Sequence, residues 1–184
     1  SNDFGQTLIP NDLNGVIAIE ARDKCSMALK SDGTVVAWGD NTHGQSSVPA
    51  GLTNVISISI GAKFAVALKS DGTVTAWGSN ANDRINVPVG LSNVIAISAG
   101  GTFTSGHTLA LKSDGTVVAW GANVNGQSNV PSDLINVKKI SAGVNHSVAI
   151  KNDGTLVSWG SSIFSDFGLT DVVKIVSMNN NAFC

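Results

Sequence analysis

The sequence predicts an all-β repeat protein, and three observations carry that prediction. A turn of the form Lys-Ser/Asn-Asp-Gly-Thr recurs four times, each copy followed by a strand ending in Trp-Gly, at Lys30 to Gly39, Lys69 to Gly78, Lys112 to Gly121 and Lys151 to Gly160. The tryptophans Trp38, Trp77, Trp120 and Trp159 are spaced by 39, 43 and 39 residues, the period of one propeller blade or one large solenoid rung. Between the turns, apolar residues alternate with a period of two, which is the strand signature.

Aligned on Trp-Gly, each unit resolves into three short runs. The first comprises Val16 to Ala21, Val55 to Ile60, Val94 to Ala99, Val137 to Ala142 and Val172 to Ser177. One side reads Ile17/Ile19, Ile56/Ile58, Ile95/Ile97 and, with an exception at Lys138, Ile140; the other side is mostly Ser and Ala, as a crowded innermost strand requires. The second run is Met27 to Leu29, Val66 to Leu68, Leu109 to Leu111 and Val148 to Ile150, with Ala28, Ala67, Ala110 or Ala149 at its centre. A repeated central alanine predicts close sheet packing. The third run, from Thr34 to Trp38 and its counterparts, follows the second through Asp-Gly, a hairpin signal because glycine adopts positive φ at little cost.

Composition bounds the class. The 184 residues are 42% hydrophobic and 13% charged, which is globular rather than disordered. No run of eighteen apolar residues occurs and no basic start precedes an apolar segment, so neither a membrane span nor a retained signal peptide is expected. A net charge of −2 lacks the positive field that phosphate neutralisation needs, so nucleic acid is not the expected partner. Cys25 and Cys184 have no metal-type spacing; Cys25 reads as a small buried residue and Cys184 as a terminal thiol.

Few side chains invite a chemical reading. The tryptophans recur at one position and are read as filling one packing slot between sheets. His107 and His146 stand where other units carry Cys25 and Phe64, and a slot that accepts Cys, Phe or His is a packing slot. His43 lies in a loop without a Ser, Cys or carboxylate at a catalytic spacing. No nucleophile and base pair, phosphate-cradling loop or metal-ligand cluster is found, so the chain reads as a non-enzyme with no cofactor and no metal.

The combined pattern resembles the regulator of chromosome condensation repeat. Ser141-Ala142-Gly143-Val144-Asn145-His146-Ser147-Val148-Ala149-Ile150-Lys151, the Asp-Gly turn, Trp-Gly and the loop Asn123-Val124-Asn125-Gly126-Gln127 carry the likeness, which covers nearly the whole chain. It implies a β-propeller built from three- to four-stranded antiparallel blades of about 39 residues, with four full repeats and partial repeats at both ends. In repeat length the chain is most similar to bacterial members such as β-lactamase inhibitor protein II. A single domain over 1–184 is expected: a partial repeat or connector at 1–15, repeats at 16–54, 55–93, 94–136 and 137–171, and a partial repeat at 172–184. Since both ends fall in mid-repeat, three arrangements stay open: a fragment of a seven-bladed protein, a small ring, or an open array completed by another copy. Closure or self-association is expected, because open blade faces and edges promote pairing.

Strand reversal in a three-stranded blade places the first-to-second loops and the connectors to the next blade on one face, with the Asp-Gly turns on the other. The turns barely vary, whereas the loop face does. Candidate partner-binding residues there are Arg22, Lys24, Asp40, His43, Lys63, Asn82, Asp83, Arg84, Phe103, Asn123, Asn125, Asn145, Phe164 and Phe167. A four-residue insertion within Gly100 to Gly106 and a shortening between Ser161 and Phe167 fall on the same face, as insertions at a repeat array's binding face do. The expected function is a non-catalytic protein-binding or assembly module whose partner is another protein, a second copy included. Alternatives are a glycan-binding adhesin and a structural segment of a larger surface protein. The resemblance adds inhibition of a cell-wall or β-lactam enzyme and, less favoured for want of a basic tail, guanine nucleotide exchange. The Asn-, Ser- and Thr-rich loops fit a secreted or cell-surface bacterial protein.

Overall fold

The computed structural model describes residues 2–161, 176–178 and 181–183. Four three-stranded antiparallel sheets follow one another along the chain, each with its strands in sequence order. They are β1 (Val16–Arg22), β2 (Cys25–Lys30) and β3 (Val35–Gly39); β4 (Val55–Ile60), β5 (Phe64–Lys69) and β6 (Val74–Gly78). The third contains β7 (Val94–Gly101), β8 (Gly106–Lys112) and β9 (Val117–Gly121), and the fourth β10 (Val137–Ala142), β11 (His146–Lys151) and β12 (Leu156–Gly160). A further pair, β13 (Val176–Met178) and β14 (Asn181–Phe183), is antiparallel. These are propeller blades, as the repeat predicts.

Each first strand carries a bulge that simple alternation hides. Register shifts between Val16 and Ala18, Val55 and Ser57, Val94 and Ala96, and Val137 and Lys139. The extra residue is expelled, so Ile56 and Ile95 are 54% and 56% exposed while Ile58 is 6% exposed. The expectation that Ile17 and Ile19, Ile56 and Ile58, or Ile95 and Ile97 lie on one side of an evenly alternating strand is therefore corrected. After the bulge it is Val55 that joins Ile58 in the core, and Val94 and Val137 are buried likewise. Lys138 is no exception, because its position faces water.

The core lies between blades. Cys25, Met27, Leu29 and Val35 of blade 1 pack on Val55, Ile58, Ile60, Ala65, Ala67 and Trp77 of blade 2. Connectors complete these layers. Val48 and Leu52, Val87 and Leu91, and Val130 and Leu134 pack against the clusters they pass. A connector starts on the loop face, where the Asp40 amide donates to the Lys24 carbonyl, and ends on the turn face, where the Val55 amide donates to the Gly33 carbonyl. Only its first half belongs to the loop face, which corrects the expectation that whole connectors lie there.

The Asp-Gly turns do more than reverse the chain. The amides of Val55, Val94 and Val137 donate to the carbonyls of Gly33, Gly72 and Gly115 in the preceding blade at 3.0 to 3.1 Å. Gly72, at φ +76, would bring an added Cβ within 3.1 Å of the Asn93 backbone. Invariance of these turns thus reflects blade-to-blade docking as well as turn chemistry. On blade 1 the face equivalent to the blade 2 core surface is open, with Val16 39% and Ile19 75% exposed.

Candidate functional site

The loop face is built on one recurring joint. Trp38, Trp77, Trp120 and Trp159 donate their indole Nε1–H to the carbonyls of Gln6, Gln45, Arg84 and Gln127 at 2.9 to 3.1 Å. In three of these connectors the glutamine Oε1 also accepts an amide two residues earlier, from Phe4, His43 or Asn125. A single residue therefore shapes the loop with its side chain and holds the tryptophan with its backbone. Gln45 and Gln127 are 3% and 0% exposed.

Arg84 occupies the glutamine position and inverts its chemistry. Lacking an acceptor, it donates Nε–H to the Ala81 carbonyl at 2.7 Å, and Asn82 and Asp83 take positive φ in the resulting turn. Its Nη2 donates to the Phe103 carbonyl at 3.3 Å, and the guanidinium lies 5.6 Å from the Phe64 ring centroid. Arg84 is 0% exposed, so the expectation that its side chain faces a partner is corrected. Burial lowers its pKa, and Nη1 has no hydrogen-bond partner. Alignment with Gln45 and Gln127 was the signal in the sequence for this inward role.

The insertion in blade 3 is a longer hairpin. β7 and β8 continue to the pair Gly101 and Gly106, and the Thr102 amide donates to the Ser105 carbonyl at 2.6 Å. Arg22, half-buried, reaches from blade 1 to donate Nη2–H to the Gly101 carbonyl at 2.7 Å. Lys63 Nζ sits 5.1 Å from the Phe103 ring centroid and 3.2 Å from His43 Nε2. His43 Nδ1 is 2.8 Å from Thr42 Oγ1, which donates to Asp40 at 3.3 Å. With Lys63 as the donor to Nε2, His43 carries its proton on Nδ1, and the chain Lys63, His43, Thr42, Asp40 is ordered in one direction.

Arg22, Asp40, His43, Lys63, Arg84 and Phe103 thus form one continuous network. Lys24, exposed, stands 4.2 Å from the Phe4 ring centroid on the same face. Asn82, Asp83, Asn123 and Asn125 are exposed on their connectors, and Asn145 is half-buried beside β11. Asn123 bonds to Asn129 within its own loop and Asp83 accepts from Asn86. Phe164 and Phe167 lie outside the described residues. Below this rim the inner strands border an open trough of about 790 Å³, walled by Ser57, Ser59, Ser98 and Ser141 with Arg22 above.

Arg22 is explained by its neighbour. At its position the other blades carry Gly61, Gly100 and Gly143. A Cβ at Gly61 would overlap the Phe64 ring, and one at Gly143 would overlap the His146 ring. In blade 1 the ring is replaced by Cys25, whose thiol makes room.

The packing slot also holds two histidines. His107 is 0% and His146 1% exposed. His107 Nε2 lies 2.9 Å from Ser147 Oγ, and Ser147 donates to the Gln127 carbonyl at 2.8 Å. With its proton committed to that carbonyl, Ser147 accepts from His107; the pair is a buried strut and not a nucleophile with its base. Burial, then the proximity of His146 and Arg22, depresses His107 to about 3. The unfolded chain takes up a proton near pH 6.5, which the folded chain refuses until about pH 3. The His107 contribution to stability is therefore present above about pH 6.5 and is lost as the pH drops towards 3, by about 2 kcal/mol at pH 5. Asp32, Asp71 and Asp114, held at about 2 chiefly by the Thr34, Thr73 and Thr116 hydroxyls, lose their contribution only below about pH 4. In thermal melts at pH 7 and pH 5, His107→Phe should reduce the wild-type decline, with the remainder coming from His146, whose pKa burial also lowers; an unchanged decline would refute the assignment.

Among the described residues, no helix is long and apolar enough to cross a membrane, and no three His, Cys, Asp or Glu side chains come together as metal ligands. The four blades, each with its tryptophan tied to the preceding connector, define a propeller-repeat protein. The family model of the regulator of chromosome condensation (RCC1) repeat matches residues 24–45, 55–84, 94–127 and 137–165, more than half of the chain, and the chain belongs to that family. Solved structures agree on the fold. The chain is similar to yeast RCC1 (Prp20) bound to Kap60, at 22% identity and TM-score 0.66, over 79% of this chain and 43% of that one. Prp20p from Saccharomyces cerevisiae, crystallised in connection with its binding to Gsp1p and histones, gives 21%, 0.66, 79% and 45%. The ectodomain of the Physcomitrella patens receptor kinase CR4 gives 22%, 0.73, 89% and 45%. The chain thus spans less than half the length of each of these three. No curated protein sequence matches it.

Proposed function

We propose that the chain is a non-catalytic protein-binding module that engages its partner through the loop face. The observation that carries this reading is the presentation of Phe103. Its backbone is held through the Gly101 and Phe103 carbonyls by Arg22 and Arg84, yet its ring is 51% exposed. A large side chain held outward on an anchored loop loses little conformational entropy on binding, as an interface anchor should. The fold supports the reading: Prp20 binds Kap60, and its binding to Gsp1p and histones has been studied. The partner is another protein, a second copy included, and we place the module outside the cell, in keeping with its Asn-, Ser- and Thr-rich loops.

Affinity capture with the full chain, compared across variants, tests this. Partners bound by wild type should be retained by the turn-face variant Lys30→Ala and lost by Phe103→Ala combined with Lys63→Ala, a loss exceeding about 1 kcal/mol for an anchor residue. Retention by the loop-face variant would overturn the reading. Light scattering across the micromolar range separates the self-association form: a dimer dispersed by the same substitutions identifies a second copy as the partner.

A further inference from the structure

We propose that loop 100–106 is the docking point for an acidic segment of the partner protein, which seats an apolar side chain on the Phe103 ring and a carboxylate on Lys63 Nζ. This rests on the protein-binding reading above and adds the chemistry of what binds.

Three departures from the repeat meet at this loop. Arg22 stands where other blades have glycine, Arg84 stands where other connectors have glutamine, and residues 102–105 extend one hairpin. The first two donate to carbonyls of the third, at Gly101 and Phe103. Arg84 is buried without a carboxylate within 4 Å among the described residues, a costly arrangement that packing alone does not require, since glutamine serves at Gln45 and Gln127. What the three achieve together is a fixed loop with its aromatic ring outside.

The charge distribution selects the occupant. All described ion pairs lie on the turn face, joining Lys30 to Asp32, Lys69 to Asp71, Lys112 to Asp114 and Lys151 to Asp153. On the loop face, Lys63 has no carboxylate within 4 Å among the described residues; its nitrogen contacts His43 Nε2 and the face of Phe103. Neither Asp40 nor Asp83 on this face lies within 4 Å of Lys63 Nζ, and each is hydrogen-bonded within its own loop. Asp40 accepts from the Thr42 amide at 3.0 Å, and Asp83 accepts from Asn86 at 2.8 Å. Glu20 and Asp23 act electrostatically on Arg22, whereas Lys63, the cation beside the Phe103 ring, has no such pairing among the described residues; Lys24, likewise unpaired, stands apart over Phe4. A basic partner would be repelled there, and a purely apolar one would cover Lys63 without pairing it. An acidic and apolar segment satisfies both groups.

The test is a selection of random linear peptides, displayed on phage, against the full chain, followed by affinity measurement of the enriched peptides on variants. Enriched sequences should combine Asp or Glu with an aliphatic or aromatic residue. Phe103→Ala and Lys63→Glu should each weaken them by about tenfold or more, and Lys30→Glu, an equal charge change on the turn face, by less than about twofold. Thermal melts confirm that each variant is folded. Enriched peptides that are basic, or indifferent to Phe103→Ala and Lys63→Glu yet weakened by Asn125→Ala or Lys24→Ala, would overturn the inference and leave the loop-face reading standing. Peptides sensitive only to turn-face changes, or no enrichment at all, would overturn both.

Discussion

Trp77→Ala should lower stability by about 3–5 kcal/mol, whereas Trp77→Phe should cost about 1–2 kcal/mol. The indole is 6% exposed and belongs to the layer between blades 1 and 2, so truncation opens a cavity in that layer. Its Nε1–H donates to the Gln45 carbonyl at 3.1 Å, and the alanine variant leaves that carbonyl without this donor. Phenylalanine retains much of the volume but not the donor, so the difference between the variants separates packing from the hydrogen bond. Because Gln45 also shapes the loop carrying His43, the phenylalanine variant should loosen that loop as well. Denaturant unfolding gives the stabilities and hydrogen exchange at residues 40–46 gives the loop. A phenylalanine variant as stable as wild type would mean that the indole N–H contributes nothing, and equal costs for the two variants would mean that ring packing contributes nothing beyond the hydrogen bond.

The second large effect is a coupled one. Gly61→Ala places a methyl group against the Phe64 ring, which is wholly buried, and should cost about 1–3 kcal/mol through overpacking. Phe64→Cys alone should cost about 3 kcal/mol through the lost ring. Together they reproduce the arrangement of Arg22 and Cys25 in blade 1, and the double variant should cost at least about 1 kcal/mol less than the sum of the single costs. A double-mutant cycle by urea unfolding measures this. Strict additivity would mean that the glycine has a reason other than the ring above it.

Much of this architecture was legible in the chain. Tryptophan spacing located the blades, the Asp-Gly turns located the hairpins, and the interchange of Cys25, Phe64, His107 and His146 marked one slot. The bulge was not legible, because Ile17, Ile56 and Ile95 continue an apolar alternation that the backbone breaks; only Lys138 betrayed the water-facing position. Arg84 misled for a different reason. An arginine in a polar loop reads as surface, and its burial depends on the Phe103 carbonyl and Phe64 ring, partners 19 and 20 positions away in sequence. For the loop face, strand reversal predicted which segments gather, but the meeting of Arg22 with Gly101 bridges 79 positions and joins blade 1 to blade 3 across the loop face.

The expelled residue at the start of each first strand offers a use of its own. Positions 56, 95 and 138 tolerate isoleucine and lysine alike, touch no core layer and recur once per blade. Reporter groups attached there in pairs would form a molecular ruler graduated in blades. Cys25, at 6% exposed, would react slowly by comparison, its thiol pKa raised by burial. The spacing read from such pairs, with and without a bound partner, would show whether neighbouring blades move as one body or hinge.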